Sequence, residues 1–422
     1  MNEQRKVKVR VGKIVKECDI DANATISVDC SEAYVISDAE KIVEYEMSLP
    51  ANAIGSFAQI EELKAAIAAN DLALCQSLVE AYNTRTAPVM TAGFYRLINA
   101  KDRKYLTPYV NGNDVLMHAG TEEKGINNVF EFIPTSTEGQ FVIKANGCRV
   151  SKCYSAATGG SGANFKLIDE NSTEEGHFSF ENATSNGLFM IAENVTTTSG
   201  GRNYLHENNG NAVGWDKGNG NGVGHPSAWY IVPATEAEVT LATVNDASYA
   251  SIYLPFNASK VEGAKAYFGT LNEDNTLMDM HETTGITAAK GVVLIGQAGA
   301  EKATLAIGDA QTFESSLDGT FNAISLTSDT RANYLVFGVN NGTVGFYKPS
   351  SKVSTIAANK AFLYNIFGAS AIAMRFNGNI TGISNVLVGN AADAPIFDLS
   401  GRKVANPVKG GVYIQNGHKF VK

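Results

Sequence analysis

The sequence predicts a mainly β, multidomain chain, in which a β-trefoil is followed by a β-sandwich and a short helical segment lies near the N-terminus. Three observations carry that prediction. The first is a repeat: Gly93-Phe94-Tyr95-Arg96-Leu97-Ile98, Gly139-Gln140-Phe141-Val142-Ile143 and Gly187-Leu188-Phe189-Met190-Ile191 recur at a nearly constant interval. Each copy closes on an aromatic strand, Val129-Phe130-Glu131-Phe132-Ile133, His177-Phe178-Ser179-Phe180 and Ala228-Trp229-Tyr230-Ile231. A unit of about 50 residues made only of short strands cannot bury its own apolar face, so three must close around one axis. The second is a run of regularly spaced apolar strands after Pro233 with turn signals between them, the pattern of a sandwich. The third is composition: only 18% of residues are charged and 40 are Gly, as in turn-rich extracellular β proteins.

The elements follow in order. Residues 1–50 read as a small β segment, because Arg5-Lys6-Val7-Lys8-Val9-Arg10-Val11 alternates at period two and 19–23 are turn material. Residues 51–88 read as a helical pair and linker. Ile60, Leu63 and Ile67 share a stripe, and a second helix starts on an Asp71 cap after Asn70. Thr86-Ala87-Pro88 ends it.

Residues 89–234 are the trefoil. Its expected anchors are Phe94, Leu97, Phe130, Phe132, Phe141, Ile143, Phe178, Phe180, Phe189, Ile191, Trp229 and Ile231. Residues 235–378 are the sandwich, with strands near 238–242, 249–255, 264–269, 291–295, 302–306, 334–338, 343–347 and 361–365. Turns are expected at 272–275, at Asp318-Gly319 and at Asn340-Asn341-Gly342. Residues 379–422 form a linker and hairpins, with Asn416-Gly417 a type I′ signal.

A net charge of −9 disfavours nucleic acid and anionic membrane as partners. No apolar run reaches the roughly 18 residues of a membrane span. Five cysteines without a CxxC pair indicate neither a zinc site nor a dense disulfide framework. Cys18 and Cys30 could bridge a hairpin, whereas Cys148 and Cys153, five apart on a straight strand, would stay free. No secretory signal stands at Met1, which sets an expectation that the natural N-terminus lies further upstream.

The candidate chemistry is that of a binding site. The Gly-rich run at 218–224 is followed by His225-Pro226 and a strand, not by the helix a phosphate loop needs. Gly159-Gly160-Ser161-Gly162-Ala163 lacks the last Gly of a nucleophile elbow. The acidic stretch Asn272-Glu273-Asp274-Asn275-Thr276, with Asp279 and Glu282, lacks EF-loop spacing and reads as a solvated hairpin. No metal or cofactor is expected.

The densest aromatic and polar cluster is in the third copy, where His206, Asn208, Trp215 and Asp216 stand close in sequence to Glu207 and His225. A pyranose needs an aromatic face for its apolar side and Asp, Asn or His for its hydroxyls. These four are therefore the candidate carbohydrate-binding residues, and Asn111, Asn113, Asp114 and His118 are their first-copy counterparts.

Lys104-Tyr105-Leu106 and Asn203-Tyr204-Leu205 at the second-strand position, with Trp229 in the closing slot, make the threefold unit similar to the ricin-type lectin family. That resemblance implies a trefoil that binds carbohydrate. The family's closing Gln-x-Trp stands here as Asn128-Val129-Phe130, Gly176-His177-Phe178 and Ser227-Ala228-Trp229.

Tyr253-Leu254-Pro255-Phe256 and Gly345-Phe346-Tyr347-Lys348 resemble phrases of domains appended to secreted and surface proteins of commensal Gram-negative bacteria. The tail, Ile396-Phe397-Asp398-Leu399-Ser400-Gly401-Arg402-Lys403-Val404 and then Lys409-Gly410-Gly411-Val412-Tyr413-Ile414, is similar to the C-terminal sorting domains of type IX secretion cargo. That likeness implies export, surface location and the secretion machinery as a partner. The expected function is a non-catalytic, secreted or cell-surface protein whose partner is a glycan or polysaccharide. The alternatives are an accessory region of a truncated glycoside hydrolase or peptidase, and an adhesin or structural spacer without a sugar site.

Overall fold

The computed structural model describes residues 5–422 other than 12–13, 22–23, 30, 112–113, 122–123, 152–163, 174, 184–186, 197–201, 216–223, 341, 367, 377–378, 381–395, 399–403, 405–406 and 416–417. The chain opens with an antiparallel hairpin of β1 (Arg5–Val11) and β2 (Ile14–Ile20), crossed by an exposed Lys8–Glu17 ion pair. Cys18 is free, and Cys30 lies outside the described residues.

Where a β segment was expected up to residue 50, the structure has an 18-residue helix, α1 (Ser31–Ser48). Ala33, Ile36, Ala39 and Ile42 recur every three residues and are all buried, which makes one helical stripe. They pack on α2 (Ile60–Ala69) and α3 (Leu72–Thr84) around Leu63, Ala66, Cys75 and Leu78. Asn70 takes the left-handed conformation that ends α2, and Asp71 Oδ1 accepts the Leu74 N–H at 3.0 Å to cap α3. Buried Glu46 accepts the Phe57 N–H at 2.7 Å and pairs with Arg85 at 3.1 Å, tying α1 to both ends of the helical pair.

The trefoil runs from β3 to β14. Its strands are β3 (Gly93–Asn99), β4 (Tyr105–Asn111), β5 (Asp114–Gly120), β6 (Phe130–Pro134), β7 (Gln140–Ala145), β8 (Cys148–Val150), β9 (Lys166–Ile168), β10 (Phe178–Asn182), β11 (Phe189–Thr196), β12 (Arg202–Asn208), β13 (Asn211–Trp215) and β14 (Ala228–Pro233). Six of them form a closed barrel: β3 pairs with β6, β6 with β7, β7 with β10, β10 with β11, β11 with β14, and β14 returns to β3. The other six form three hairpins that bond to one another over one end. Met117 donates to Phe165 O at 3.0 Å, Phe165 to Ala212 O at 2.9 Å, and Ala119 to Gly210 O at 3.0 Å.

The core repeats with the chain. Leu97, Ile143 and Ile191 come from the first strand of each copy, and Leu106, Val150 and Leu205 from the second. Met117 and Ala212 come from the third, where Phe165 immediately precedes β9, and Phe130, Phe178 and Trp229 come from the fourth. All twelve are buried in one cluster, and the void left at the axis is only about 10 Å3, no larger than a single water.

Phe94 departs from the expected anchors. It points out of the barrel and packs edge-on to Phe256 at 6.1 Å, part of the seam with the next unit. Arg96, two residues on, is buried at the same seam, donating to Asn128 Oδ1 at 2.9 Å and to Glu236 O at 2.7 Å. On another side of the barrel, Ile98, Met190 and Tyr230 face outward beneath Leu49, which follows α1. Both faces of β14 are therefore covered, and Ala228-Trp229-Tyr230-Ile231 reads as a continuous buried run.

The sandwich contains β15 (Glu236–Thr240), β16 (Ala242–Val244), β17 (Ala247–Tyr253), β18 (Ala258–Glu262), β19 (Ala264–Leu271), β20 (Leu277–Thr283), β21 (Gly291–Gln297), β22 (Lys302–Ile307), β23 (Asp318–Thr320), β24 (Ile324–Ser325), β25 (Tyr334–Asn340), β26 (Thr343–Tyr347), β27 (Thr355–Ile356), β28 (Lys360–Tyr364), β29 (Ala371–Phe376) and β30 (Asn379–Ile380). The long sheet runs β16-β17-β21-β19-β20-β29-β26-β25-β28-β23, with β20 and β29 parallel. A small sheet β15-β22-β18 covers the other face of β17 and β21. Val292 and Leu294 therefore pack against the small sheet while Val293 and Ile295 enter the second core, so β21 is apolar from Val292 to Ile295 rather than alternating.

Asp318-Gly319, expected as a turn, is instead β23, paired with β28. Gly319 lies flat on the Tyr253 ring, and an added Cβ there would come within 2.2 Å of it. The glycine thus serves close approach rather than a bend. The chain ends in a three-stranded sheet of β31 (Ile396–Asp398), β32 (Val412–Gln415) and β33 (His418–Val421); the Asn416-Gly417 turn signal lies outside the described residues.

Because the barrel has no space to collapse into, Phe165→Ala and Phe178→Ala should each lower unfolding free energy by about 3–5 kcal/mol. Denaturant unfolding followed by fluorescence of buried Trp229 measures this, and a loss below about 1 kcal/mol would mean that the shared core is not the stabilising element.

Candidate functional site

The β12–β13 hairpin turns through Asn209 and Gly210, both at positive φ, so that Asn208 faces Asn211 across a two-residue loop. Strand alternation then sends Leu205 and Ala212 into the barrel core and puts Tyr204, His206, Asn208 and Trp215 on the opposite face. Trp215 stands across from Tyr204, one position diagonal to His206, within reach of its ring.

The two rings stack, with centroids 4.7 Å apart and planes at 18°. Trp215 is half-buried, while His206 is only 9% exposed. The His206 Nδ1 lies 2.6 Å from Ser227 Oγ, and His225 meets the same ring edge-on at 6.3 Å. Burial, reinforced by His225, pushes the His206 pKa down to about 4, so the imidazole beneath the indole is neutral at physiological pH. His225 Nδ1 accepts the Ser227 N–H at 3.1 Å, which leaves the proton of neutral His225 on Nε2.

Glu207 projects the other way. Its carboxylate takes the Lys101 ammonium at 2.8 Å and the Gly210 N–H at 2.7 Å. Burial works to raise its pKa, but these two donors outweigh that and hold it below the ordinary value. The pair fastens the hairpin tip to the first lobe.

Of the four expected carbohydrate-binding residues, the fold brings His206 and Trp215 together. Asn208 lies on the same face, two positions nearer the tip and roughly 13 Å along the strand from Tyr204, the partner of Trp215. Asp216 lies outside the described residues. In the first copy, His118 stacks on Tyr109 at 4.5 Å and 29°, and Tyr109 donates to Asn211 Oδ1 at 2.9 Å across the seam between the first and third hairpins. Asn113 lies outside the described residues, and Asn111 and Asp114 are placed as a backbone pair.

Sequence reasoning passed over Tyr109, Tyr204 and Ser227. The alternation Tyr105, Thr107, Tyr109 was a usable signal for the first of these, whereas Ser227 joins the site through a loop closure that no local pattern encodes. Asn272 Oδ1 accepts the N–H groups of Thr276 and Leu277, and Asp279 pairs with Arg375, so the acidic stretch is a self-bonded hairpin. Among the described residues no three His, Cys, Asp or Glu side chains are grouped to hold a metal. No described helix is long and apolar enough to cross a membrane.

No protein-family model and no curated protein matches the chain. Among solved structures, the chain is similar to SeviL bound to asialo-GM1 saccharide, at 15% identity and a TM-score of 0.26 over 34% of this chain and 99% of that one. It is similar to a Polyporus squamosus lectin bound to a human-type influenza-binding epitope, at 15% identity and a TM-score of 0.28 over 35% of this chain and 51% of that one. It is also similar to ThreeFoil, a designed threefold-symmetric protein, at 16% identity and a TM-score of 0.25 over 33% and 98%. The closed barrel and its residue triplets, not these likenesses, define the fold.

The buried imidazole makes a pH prediction. A histidine in the unfolded chain takes up its proton near pH 6.5, whereas folded His206 does so only at about 4. Between those values the unfolded state binds more protons, so stability falls as pH falls. Taking the protein from pH 7 to 4.5 should cost about 2 kcal/mol through this residue, and His206→Gln should remove that part of the loss. Urea unfolding of both proteins at the two pH values measures it, and an identical acid loss in both would contradict the assignment.

Proposed function

We propose that the protein is a non-catalytic carbohydrate-binding protein acting outside the cell, and that the β12–β13 face of the trefoil is its sugar platform. The observation that carries this reading is the His206–Trp215 stack. An indole held by a neighbouring ring loses little freedom when a ligand arrives, and its apolar face suits the C–H face of a pyranose. Asn208 lies on the same face two positions along β12 from His206, where a ligand of more than one ring would meet it, and the neutral imidazole brings no charge to be desolvated. A shallow platform leaves most of a sugar in water. One ring should bind at about millimolar strength, roughly −4 kcal/mol, and useful affinity needs several rings or several copies.

A glycan array probed with wild type and Trp215→Ala is the test. Binding to a set of glycans that is lost in the variant, with the melting temperature unchanged, is the expected result; no bound glycan, or equal binding by both proteins, would exclude the reading.

Export is the second part of the proposal. The tail sheet of β31, β32 and β33 is a small unit at the end of the chain, of the kind a sorting machinery can recognise without unfolding the rest. Deleting 391–422 should leave the melting temperature unchanged and leave the protein in the periplasm of a host with type IX secretion. Surface display of the deletion variant at the wild-type level would refute the role of the tail.

A further inference from the structure

The sandwich holds a groove of about 710 Å3, open on one side, where two sheet edges part. β25 pairs with β28 only as far as Val336–Phe362, leaving Ala361 and Lys360 of β28 paired with β23 alone, while β25 runs on to Asn340 beside β26. On the opposite wall, β16 covers β17 only as far as Tyr249. The segment 348–357 closes the end. Val244, Val336, Val339, Val353 and Ile356 supply apolar surface, and the volume falls within the roughly 300–1,000 Å3 of small-molecule sites.

The charge in this groove is one-sided. Lys348 and Lys360 line it, and among the described residues no Asp or Glu does. Elsewhere in the same unit Lys260, Lys265, Lys290 and Lys302 each meet a glutamate. The ammonium of half-buried Lys360 has no hydrogen-bond or ion-pair partner among the described residues, and burial pushes its pKa down. A cation left unpaired among valines is costly, and an anion arriving in the groove would relieve that cost.

We propose that this groove binds a small organic carboxylate with an apolar body, its carboxylate on Lys360 and its apolar part along Val336, Val339, Val353 and Ile356. A single ammonium matches a single negative charge. A polyphosphate would need more cations or a guanidinium fork, and the apolar walls would gain nothing from it.

The test uses the full chain and anilinonaphthalene sulfonate fluorescence, with dodecanoate and dodecanol as competitors. Dodecanoate should displace the dye more strongly than dodecanol, and Lys360→Met should weaken dodecanoate by about tenfold while leaving dodecanol unchanged. Lys348→Met, at the exposed mouth, should have a smaller effect. Lys360→Met should melt no lower than wild type, since it removes an unpaired, half-buried charge. Equal competition by acid and alcohol, unchanged dodecanoate affinity in Lys360→Met, or no binding of dodecanoate would each overturn the proposal.

Discussion

No lobe of the trefoil can bury its own apolar face, and the whole structure depends on the pairing that lets three lobes share one core. That pairing is β14 against β3, which runs from Trp229–Asn99 to Pro233–Tyr95 and joins the last strand of the third copy to the first strand of the first. Closure removes the sheet edges and brings Leu97, Ile143 and Ile191 to one level of the barrel. Once it is made, the outer faces of the same strands become docking surfaces. Phe94 and Arg96 seat the sandwich, and Ile98 and Tyr230 lie under the end of α1.

The candidate site is a consequence of that core. In each hairpin one set of alternating residues is committed to the axis, which frees the other set to vary. Leu205 and Ala212 anchor the third hairpin, and the Trp229 indole donates to Leu205 O at 2.8 Å, tying the closing strand to β12. The short segment before β14 then passes beside His206, where Ser227 and His225 fix the imidazole. Trp215 therefore rests on a ring that is itself held by the barrel, and a binding surface on a rigid element needs no loop to order it.

The repeat was legible because its signal is doubled: aromatic spacing gives the period and strand alternation gives the inner face. The Asp71 cap was legible for the same reason, as an isolated turn residue between two apolar stripes. Other features were not. The stripe of α1 is built largely from Ala33 and Ala39 and follows an alternating hairpin, so its period of three to four residues was masked. Phe94 repeats with the barrel residues but faces away from them, and repetition alone cannot tell which face has a partner. The parallel pairing of β20 with β29 joins segments far apart in sequence. The stack of His206 on Trp215 depends on the register of a hairpin, and the Lys360 groove on where two pairings stop. Neither is a property of any short window.

Native-state hydrogen exchange tests the central claim, that one core shared by three lobes holds the trefoil together. If it does, the backbone amides of Leu97, Ile143 and Ile191 exchange only through global unfolding, with the same free energy and the same denaturant dependence in all three copies. If one copy opens well below the other two, the lobes are separate cooperative units and the account of closure is wrong.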